Sequence, residues 1–395
     1  MEPIFESAAV RHNPNITATH VLLVGCGEYP HLAGAGFGSV QPLSAPQLSA
    51  KAMADWFLNG PDAMPSGMEL PSDQAFCNPE APLGSLVMLT SPALAYQAPF
   101  GGTFQTALPT RDNIKKAYIQ WLSRLSDNPD SRGVFYFCGH GISNGTSQFL
   151  VADDFGEDAD DPWSAVFHVS NTCQATIRKT SASLFFLLDA CMEFQEGLLN
   201  EIDDPQALIP GKRNGPPKTT EWAVMRATTV NRIAYAPQGD VARFTSALLN
   251  ALRGYCGHQR TNGLGFDVGV SDLREATADF LTLSQQTISG DRQKMGQTEG
   301  EGNWKIAMHV QNKRPLVLVE MDVQPEGYRP VARAFMEAAG QQRDIQPFAT
   351  GPVHFVKPQG EWSYGTNAQN NEYAEQIYHQ QFLTSAVHTC RFRIP

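Results

Sequence analysis

The chain has 395 residues, and its mixture of 42% hydrophobic and 17% charged residues is typical of a globular protein with a large core, which excludes a disordered chain. The net charge is −11 (29 basic against 40 acidic residues) and no run of Lys or Arg occurs, so nucleic acid is not an expected partner. Seven cysteines without a Cys-x-x-Cys pair indicate a reducing compartment. Because the N-terminus resembles no secretory signal and no apolar stretch is long enough to span a bilayer, we expect a cytoplasmic protein without membrane association.

The first 125 residues alternate between strand and helix patterns. After a polar arm, residues 20–25 predict a strand, and Ser44 precedes a helix with apolar residues at helical spacing. A strand at residues 86–89 and a helix at residues 111–125 follow. This order predicts a parallel sheet with right-handed crossovers. The glycines after the first strand do not form a dinucleotide-binding loop, because Pro30 stands where the third glycine would be required.

Two further apolar strands each end at a reactive side chain. The segment GVFYFCGHG leads to His140, and SLFFLLDACM leads to Cys191. Both runs are short and rich in aromatic or branched residues, as strands buried on both faces of a parallel sheet are. Because working groups of open α/β sheets lie at the carboxyl ends of the strands, we expect the imidazole and the thiol to face each other there. Such a pair is suited to nucleophilic attack on a carbonyl group.

These two segments resemble the caspase and metacaspase cysteine peptidases. A His-Gly pair after one strand is followed, 51 positions later (191 minus 140), by Asp-x-Cys after another strand. Asp189, two positions before the cysteine, is the metacaspase-like form, since caspases carry Gln there. The segment from Gly239 to Leu249 also resembles the small-subunit part of the caspase fold. The resemblance covers roughly residues 20–310, and it implies an α/β caspase-like fold with about six mostly parallel strands and helices on both faces.

The resemblance implies a Cys-His dyad in which Cys191 is the nucleophile and His140 transfers the proton. It assigns the oxyanion donors to the backbone N–H groups of Gly141 and Cys191. This chemistry requires no cofactor. A zinc site made of Cys138, His140 and Cys191 is conceivable from ligand type alone, but the paired spacing of zinc ligands is absent.

Substrate preference is predicted from the charge at the position that matches the caspase specificity pocket. A carboxylate at Asp189 favours a basic side chain, with arginine first because it can pair in a bidentate manner, and lysine second. Glu28 lies in the loop where metacaspases place another pocket acid. The alternative interpretation is that Asp189 holds a local loop by accepting backbone N–H groups.

Between the two catalytic segments the chain is acidic. Metacaspases often require calcium bound by aspartates in this part of the fold, so the resemblance suggests calcium activation through Asp153, Asp154 and Asp158. The spacing is not that of an EF-hand, and a solvated acidic loop is the alternative.

A loop rich in Gly, Pro and charged residues follows Cys191, at about residues 195–221. In the family this is where the chain is cut into a large and a small subunit. The basic residues that such self-processing would follow are Lys212, Arg213 and Lys218. Alternatively, they are solubilising charges on an exposed loop.

The remaining chain predicts a strand at residues 222–228, helices at 241–253 and 271–283, and a strand at 305–310 that would complete six. From about residue 312 the pattern restarts as strand (315–320), helix (328–339), strand (353–356) and a final helix and strand. We therefore predict an N-terminal arm (1–19), a peptidase domain (20–311) and a small C-terminal α/β unit (312–395). That unit either binds a regulatory protein or ligand, or packs on the peptidase domain.

Two hypotheses about function follow. The first is a regulated endopeptidase, favoured as a monomer, that acts on protein or peptide substrates. The second is a caspase-homology scaffold that acts by binding partners through its C-terminal unit.

Overall fold

The computed structural model describes residues 2–31, 42–58, 75–125, 128–144, 147–191, 206–211, 215–229, 238–286, 292–302, 306–370 and 372–395. Up to residue 311 the strands are β1 Phe5–Glu6, β2 Thr19–Cys26, β3 Leu83–Ser91, β4 Ala95–Gln97, β5 Thr103–Gln105, β6 Arg132–Gly139, β7 Gly141–Asn144, β8 Ser147–Val151, β9 Val166–His168, β10 Ser183–Ala190, β11 Trp222–Arg226, β12 His258–Gln259, β13 Phe266–Val268, β14 Glu299–Glu301 and β15 His309–Gln311. The helices are α1 Ala8–His12, α2 Ala45–Leu58, α3 Arg111–Leu125, α4 Val169–Ile177, α5 Arg243–Asn250 and α6 Val270–Leu283.

A seven-stranded sheet in the order β1-β3-β2-β6-β10-β11-β14 forms the centre of this region. The five inner strands are parallel, and only the two outer strands run antiparallel to their neighbours. Every residue of β2, β6 and β10 is buried, which explains why these strands appear in the sequence as continuous apolar runs. The predicted mostly parallel α/β sheet is confirmed.

Helices cover both faces of the sheet. Along β2, Val21 and Leu23 pack into a core with α2, α5 and α6, whereas Leu22 and Val24 pack into a second core with α3 and α4. The alternation follows from the two-residue period of a strand, which sends successive side chains to opposite faces. In the described residues no helix is both long enough and apolar enough to cross a bilayer.

The chain order creates a crevice at one end of the sheet. From β2 the chain passes to β3 on one side, and then returns to β6 on the other side of β2. In open α/β sheets, such a reversal leaves a crevice outside the carboxyl ends of the strands, where functional groups gather.

Both edges of the sheet differ from the prediction. The N-terminal arm contributes β1, which pairs antiparallel with β3 and closes one edge. The predicted sixth strand at residues 305–310 is wrong, because β15 belongs to a separate three-stranded sheet with β12 and β13. The other edge is closed by β14, an antiparallel Glu-Gly-Glu segment paired with β11. It carries no apolar pattern, because an edge strand joins through its backbone alone.

The C-terminal region contains the strands β16 Leu316–Gln324, β17 Ala332–Glu337, β18 Asp344–Pro347, β19 Val353–Pro358, β20 Gly360–Ala368, β21 Gln376–Leu383 and β22 Val387–Arg393. They form two sheets, in the orders β19-β16-β22 and β18-β17-β20-β21, whose inner faces share one hydrophobic core. In the described part of residues 312–395 there is no α-helix, so the predicted small α/β unit is wrong and the unit is a β-sandwich.

The predicted helix at 328–339 is replaced by a short 3₁₀ turn and β17. In β17, Ala332, Ala334 and Met336 are all fully buried in the sandwich core, at the two-residue spacing of a strand. Alanine favours helices intrinsically, but tertiary pairing with β18 and β20 overrides this weak preference.

The sandwich packs against the region that contains the central sheet. Leu318 and Ala386 belong to the same hydrophobic cluster as the α6 residue Phe280. Burial raises the pKa of Asp279, also on α6, and the nearby backbone N–H groups of Val387 and Ala386 limit the rise. The C-terminal unit is therefore joined to the domain through α6.

Candidate active site

The strands β6 and β10 bring the predicted dyad to one place. They pair in parallel with Asp189 opposite Cys138 and Ala190 opposite Gly139, so the next residues along the two strands are His140 and Cys191. A Cβ added at Gly141 would overlap the Cys191 carbonyl oxygen and lie 3.1 Å from Ala190 Cβ. The backbone at Gly141 therefore lies directly against Cys191, where only glycine fits.

Tyr29 supports the histidine from the segment that follows the neighbouring strand β2. Its hydroxyl oxygen accepts the His140 backbone N–H at 2.8 Å, and its hydroxyl donates to the Cys26 carbonyl at 3.1 Å. The two rings lie with centroids 4.9 Å apart. Burial raises the pKa of Tyr29 well above its usual range, so the phenol stays protonated and can keep both bonds. Sequence reasoning missed this residue, although an aromatic side chain just after a buried strand was visible.

Cys191 differs from the other thiols near the end of the inner strands. Cys26 and Cys138 are fully buried, and burial raises the pKa of both thiols well above the usual range, so they remain neutral. Cys191 is only half-buried. All seven cysteines are free thiols. The half-buried thiol of the three is thus the one that a substrate can reach.

A series of buried polar side chains holds the backbone at Cys191. Gln148, which is 0% exposed, donates through its amide nitrogen to the carbonyl groups of Cys191 (3.3 Å) and Ala190 (3.5 Å). Its amide oxygen accepts from Arg226 Nε at 3.1 Å, and Arg226 pairs with Glu299 at 2.7 Å. This series of polar contacts runs from Glu299 on the edge strand β14 to the backbone of Cys191. No sequence motif indicated it.

Asp189, near the end of β10, is 3% exposed and lies against the start of α5. Its Oδ2 accepts both the backbone N–H (3.1 Å) and the hydroxyl (2.5 Å) of Thr245. Its Oδ1 is buried and has no hydrogen-bond partner among the described residues. Burial raises the pKa of Asp189 to about 6, and the two bonds from Thr245 limit the rise. One oxygen therefore holds the first turn of α5, a helix and not the local loop of the alternative interpretation, while the other has no partner among the described residues.

Glu28 has different surroundings. Its side chain is exposed, and its backbone N–H donates to Ser91 Oγ at 3.1 Å. The pKa of Asp153 is raised to about 6, first by burial and then by repulsion from Glu28 and Asp154. The charge of Glu28 thus acts on Asp153, and the structure shows no contact between Glu28 and Asp189.

The three aspartates predicted for calcium are used locally. Asp154 accepts the backbone N–H of Arg111 at the start of α3, and Asp158 accepts the N–H groups of Asp160 and Asp161. Asp153 is buried. Within the residues that the structure describes, no three His, Cys, Asp or Glu side chains gather as a metal site requires, and this applies equally to the zinc alternative.

The predicted processing residues fall in two classes. Lys212 and Arg213 lie outside the described residues. Lys218 is exposed, but its backbone N–H donates to the Ile177 carbonyl at 2.8 Å. The next residue, Thr219, is 2% exposed and donates its hydroxyl to the Thr180 carbonyl. The bond after Lys218 is therefore held against the domain.

The chain is similar to several known proteins. Residues 19–264 match the family model described as "Caspase domain". The chain is 55% identical over 336 residues to "Uncharacterized protein y4kE" of Sinorhizobium fredii, which covers 85% of this chain and 97% of that protein. A solved structure of caspase-1 from Spodoptera frugiperda aligns at 12% identity and a TM-score of 0.41, covering 76% of this chain and 94% of that one. The family match spans more than half of the chain, and the chain accordingly belongs to the caspase domain peptidase family.

Proposed function

We propose that the chain is a cysteine endopeptidase that cleaves protein substrates after arginine, and less readily after lysine. The observation that carries this proposal is the register of β6 and β10, which makes His140 and Cys191 the first residues beyond two paired strand ends. A thiol and an imidazole brought together in this way form the usual pair for nucleophilic attack on an amide.

In the proposed reaction, the Cys191 sulfur bonds to the carbonyl carbon of the scissile peptide while His140 accepts the thiol proton. The oxyanion accepts the backbone N–H groups of Gly141 and Cys191. Collapse of the tetrahedral intermediate breaks the carbon–nitrogen bond, and His140 returns the proton to the leaving amine. Water then hydrolyses the thioester, giving the carboxyl product and the free thiol. The close backbone approach at Gly141 supports this assignment.

The preference for basic residues rests on Asp189. Its unpartnered Oδ1 is a buried acceptor, and an unsatisfied buried acceptor gains more from a charged donor than an exposed one does. A guanidinium offers two parallel N–H groups, whereas an ammonium offers a single point charge, so arginine is preferred over lysine.

Fluorogenic peptides that end in Arg, Lys or Asp test the proposal, each assayed with calcium and with a chelator. We expect turnover in the order Arg, Lys, Asp, and none with Cys191→Ala. Cys390→Ala is the matched control, since it also removes a partly buried thiol but lies in the β-sandwich. If wild type and Cys191→Ala are equally inactive on every peptide, the scaffold hypothesis is favoured instead.

Asp189→Asn tests specificity separately. We expect on the order of a 100-fold loss of kcat/KM for the Arg peptide, because the charge that pairs with the guanidinium is removed. A variant that keeps the Arg preference would contradict the assignment of Asp189 as the pocket acid.

Self-processing is a further part of the proposal. Cleavage after Lys212 or Arg213 is favoured over cleavage after Lys218, whose backbone is bonded to Ile177. Wild type should give two fragments on a denaturing gel that Cys191→Ala does not give. N-terminal sequencing of the smaller fragment then identifies the cut, and a single intact band after long incubation with calcium would rule out self-cleavage under those conditions.

A further inference from the structure

A second cavity lies away from the dyad, between α3, α4 and the segment 206–211. Its volume is about 690 Å³, within the range of sites that take a mid-sized ligand. The polar lining residues are Arg111, Lys115, Asn171, Gln174, Arg178 and Gln206. No Asp or Glu is among the described residues that line it. We call this cavity the cationic pocket.

The cationic pocket contains three cations, Arg111, Lys115 and Arg178. None of Arg111, Lys115 and Arg178 forms an ion pair with a described residue, although the protein carries a net charge of −11. Among the described residues, Arg178 donates to neutral acceptors, which are the carbonyl and amide oxygens of Gln174 and the Gly215 carbonyl. The Nε of Arg111 is buried without a hydrogen-bond partner among the described residues. Uncompensated donors of this kind favour an anion.

The cavity also has an apolar side. Ala207 and Pro210, which keep exposed surface, form this side, while Leu208 and Ile209 between them are buried. A bare inorganic anion would leave this surface and most of the volume unfilled. A ligand with an anionic group and an apolar or planar body would use both sides.

We propose that the cationic pocket binds a small organic phosphate, such as a nucleotide. Guanidinium groups match phosphate oxygens in a bidentate way, and lysine adds a point charge. The amide groups of Asn171 and Gln174 supply neutral donors for sugar or ring atoms.

A short series of contacts links the cationic pocket to the backbone at Cys191. The Gln206 carbonyl accepts the His168 backbone N–H at 3.2 Å, and the His168 ring contacts Phe149 with centroids 4.8 Å apart. Phe149 directly follows Gln148, which holds the Cys191 carbonyl. We therefore expect a ligand bound beside segment 206–211 to change turnover, a consequence that rests on the proposed peptidase function.

Calorimetric titration of the full chain with ATP, pyrophosphate and adenosine tests the site. We expect saturable binding of ATP, weaker binding of pyrophosphate and none of adenosine. The double variant Lys115→Gln/Arg178→Gln should weaken ATP binding by at least roughly tenfold, because charge-assisted bonds to phosphate are lost. Arg393→Gln, an exposed cation in the sandwich, is the matched control and should bind as wild type does.

Binding is measured without reference to turnover, so a failure of the proposed peptidase activity leaves this test intact. The proposal is overturned if neither ATP nor pyrophosphate saturates below about 1 mM, or if the double variant binds ATP as wild type does. Saturable binding of a Glu-rich peptide in place of both phosphates would also overturn it, and would indicate a protein partner. Arg178→Lys guards against misfolding, since it keeps the charge and should bind with intermediate affinity.

Discussion

In the central sheet every residue of β2, β6 and β10 is buried, whereas five consecutive residues of β21 in the sandwich are exposed. The parallel strands are enclosed by helices, so their polar groups can only emerge at the strand ends, and there His140 and Cys191 lie. The sandwich strands show polar side chains along their length, in ion pairs such as that of Lys357 on β19 with Asp344 on β18. Reactive groups are thus concentrated in the first region, while the second spreads its polar groups over a surface.

Glycine substitutions should show the largest difference in kcat/KM between the two regions. Gly141→Ala is expected to lower kcat/KM by about 100-fold or more, because the added methyl group overlaps the Cys191 carbonyl and displaces an oxyanion donor. In Gly327→Ala, in the sandwich, the added methyl group has no atom within 4 Å, so this variant should keep the wild-type kcat/KM. Peptide hydrolysis and circular dichroism of both variants measure the effect. A Gly141→Ala variant with the wild-type rate would show that the site does not require the close approach.

Gln148 provides the next test. Gln148→Glu can still accept from Arg226 but cannot donate to the Cys191 carbonyl, and its charge would repel that oxygen. We expect kcat to fall by about 10- to 100-fold with a smaller change in KM, because the residue positions the nucleophile and does not touch substrate. Gln381→Glu, on the exposed face of β21, is the control. Equal losses in both variants would remove the positioning role.

The pH dependence of stability gives a smaller effect. Because the pKa of Asp189 is raised to about 6, the folded protein holds this proton more tightly than the unfolded chain does. The free energy of unfolding should therefore fall as pH rises from about 4 to 6, by up to about 3 kcal/mol for this group. Asp153 adds a change of the same sign.

Denaturant unfolding between about pH 4 and 7 measures this change, and Asp189→Asn should flatten the profile while the exposed Asp160→Asn should not. In the same pH range, hydrolysis of the Arg peptide should decline as pH falls below about 6, since protonation removes the charge. A profile that Asp189→Asn leaves unaltered would contradict both expectations.

The smallest effect is expected on the sandwich surface. Arg343 pairs with Glu337 and Glu375, each at 2.7 Å, and its guanidinium lies 4.0 Å from the Phe335 ring. Because these groups are partly exposed, Arg343→Gln should cost about 1 kcal/mol or less of unfolding free energy and leave turnover unchanged. Thermal unfolding checks this, with the fully buried Met336→Ala as the contrast, expected to cost about 2–5 kcal/mol. A larger loss from Arg343→Gln than from Met336→Ala would reverse this order.

The sequence predicted the elements of the first region well, since α3 was expected at residues 111–125 and is observed at Arg111–Leu125. Apolar runs and helical spacing locate such elements because both periods are local. The edge strand β14 and the strand β17 were not predicted. Edge pairing depends on backbone groups, and β17 depends on partners far away in the chain.

The order of residues alone determined that a histidine and a cysteine end two buried strands, because burial on both faces requires unbroken apolar runs that stop where water or substrate is met. Only the tertiary structure decided which groups surround them. Tyr29, Gln148 and Thr245 reach the site from the segment after β2, from β8 and from α5, and the residues of the cationic pocket meet from two helices and a loop. These contacts join positions 42 to 111 residues apart, and no local pattern encodes such pairs.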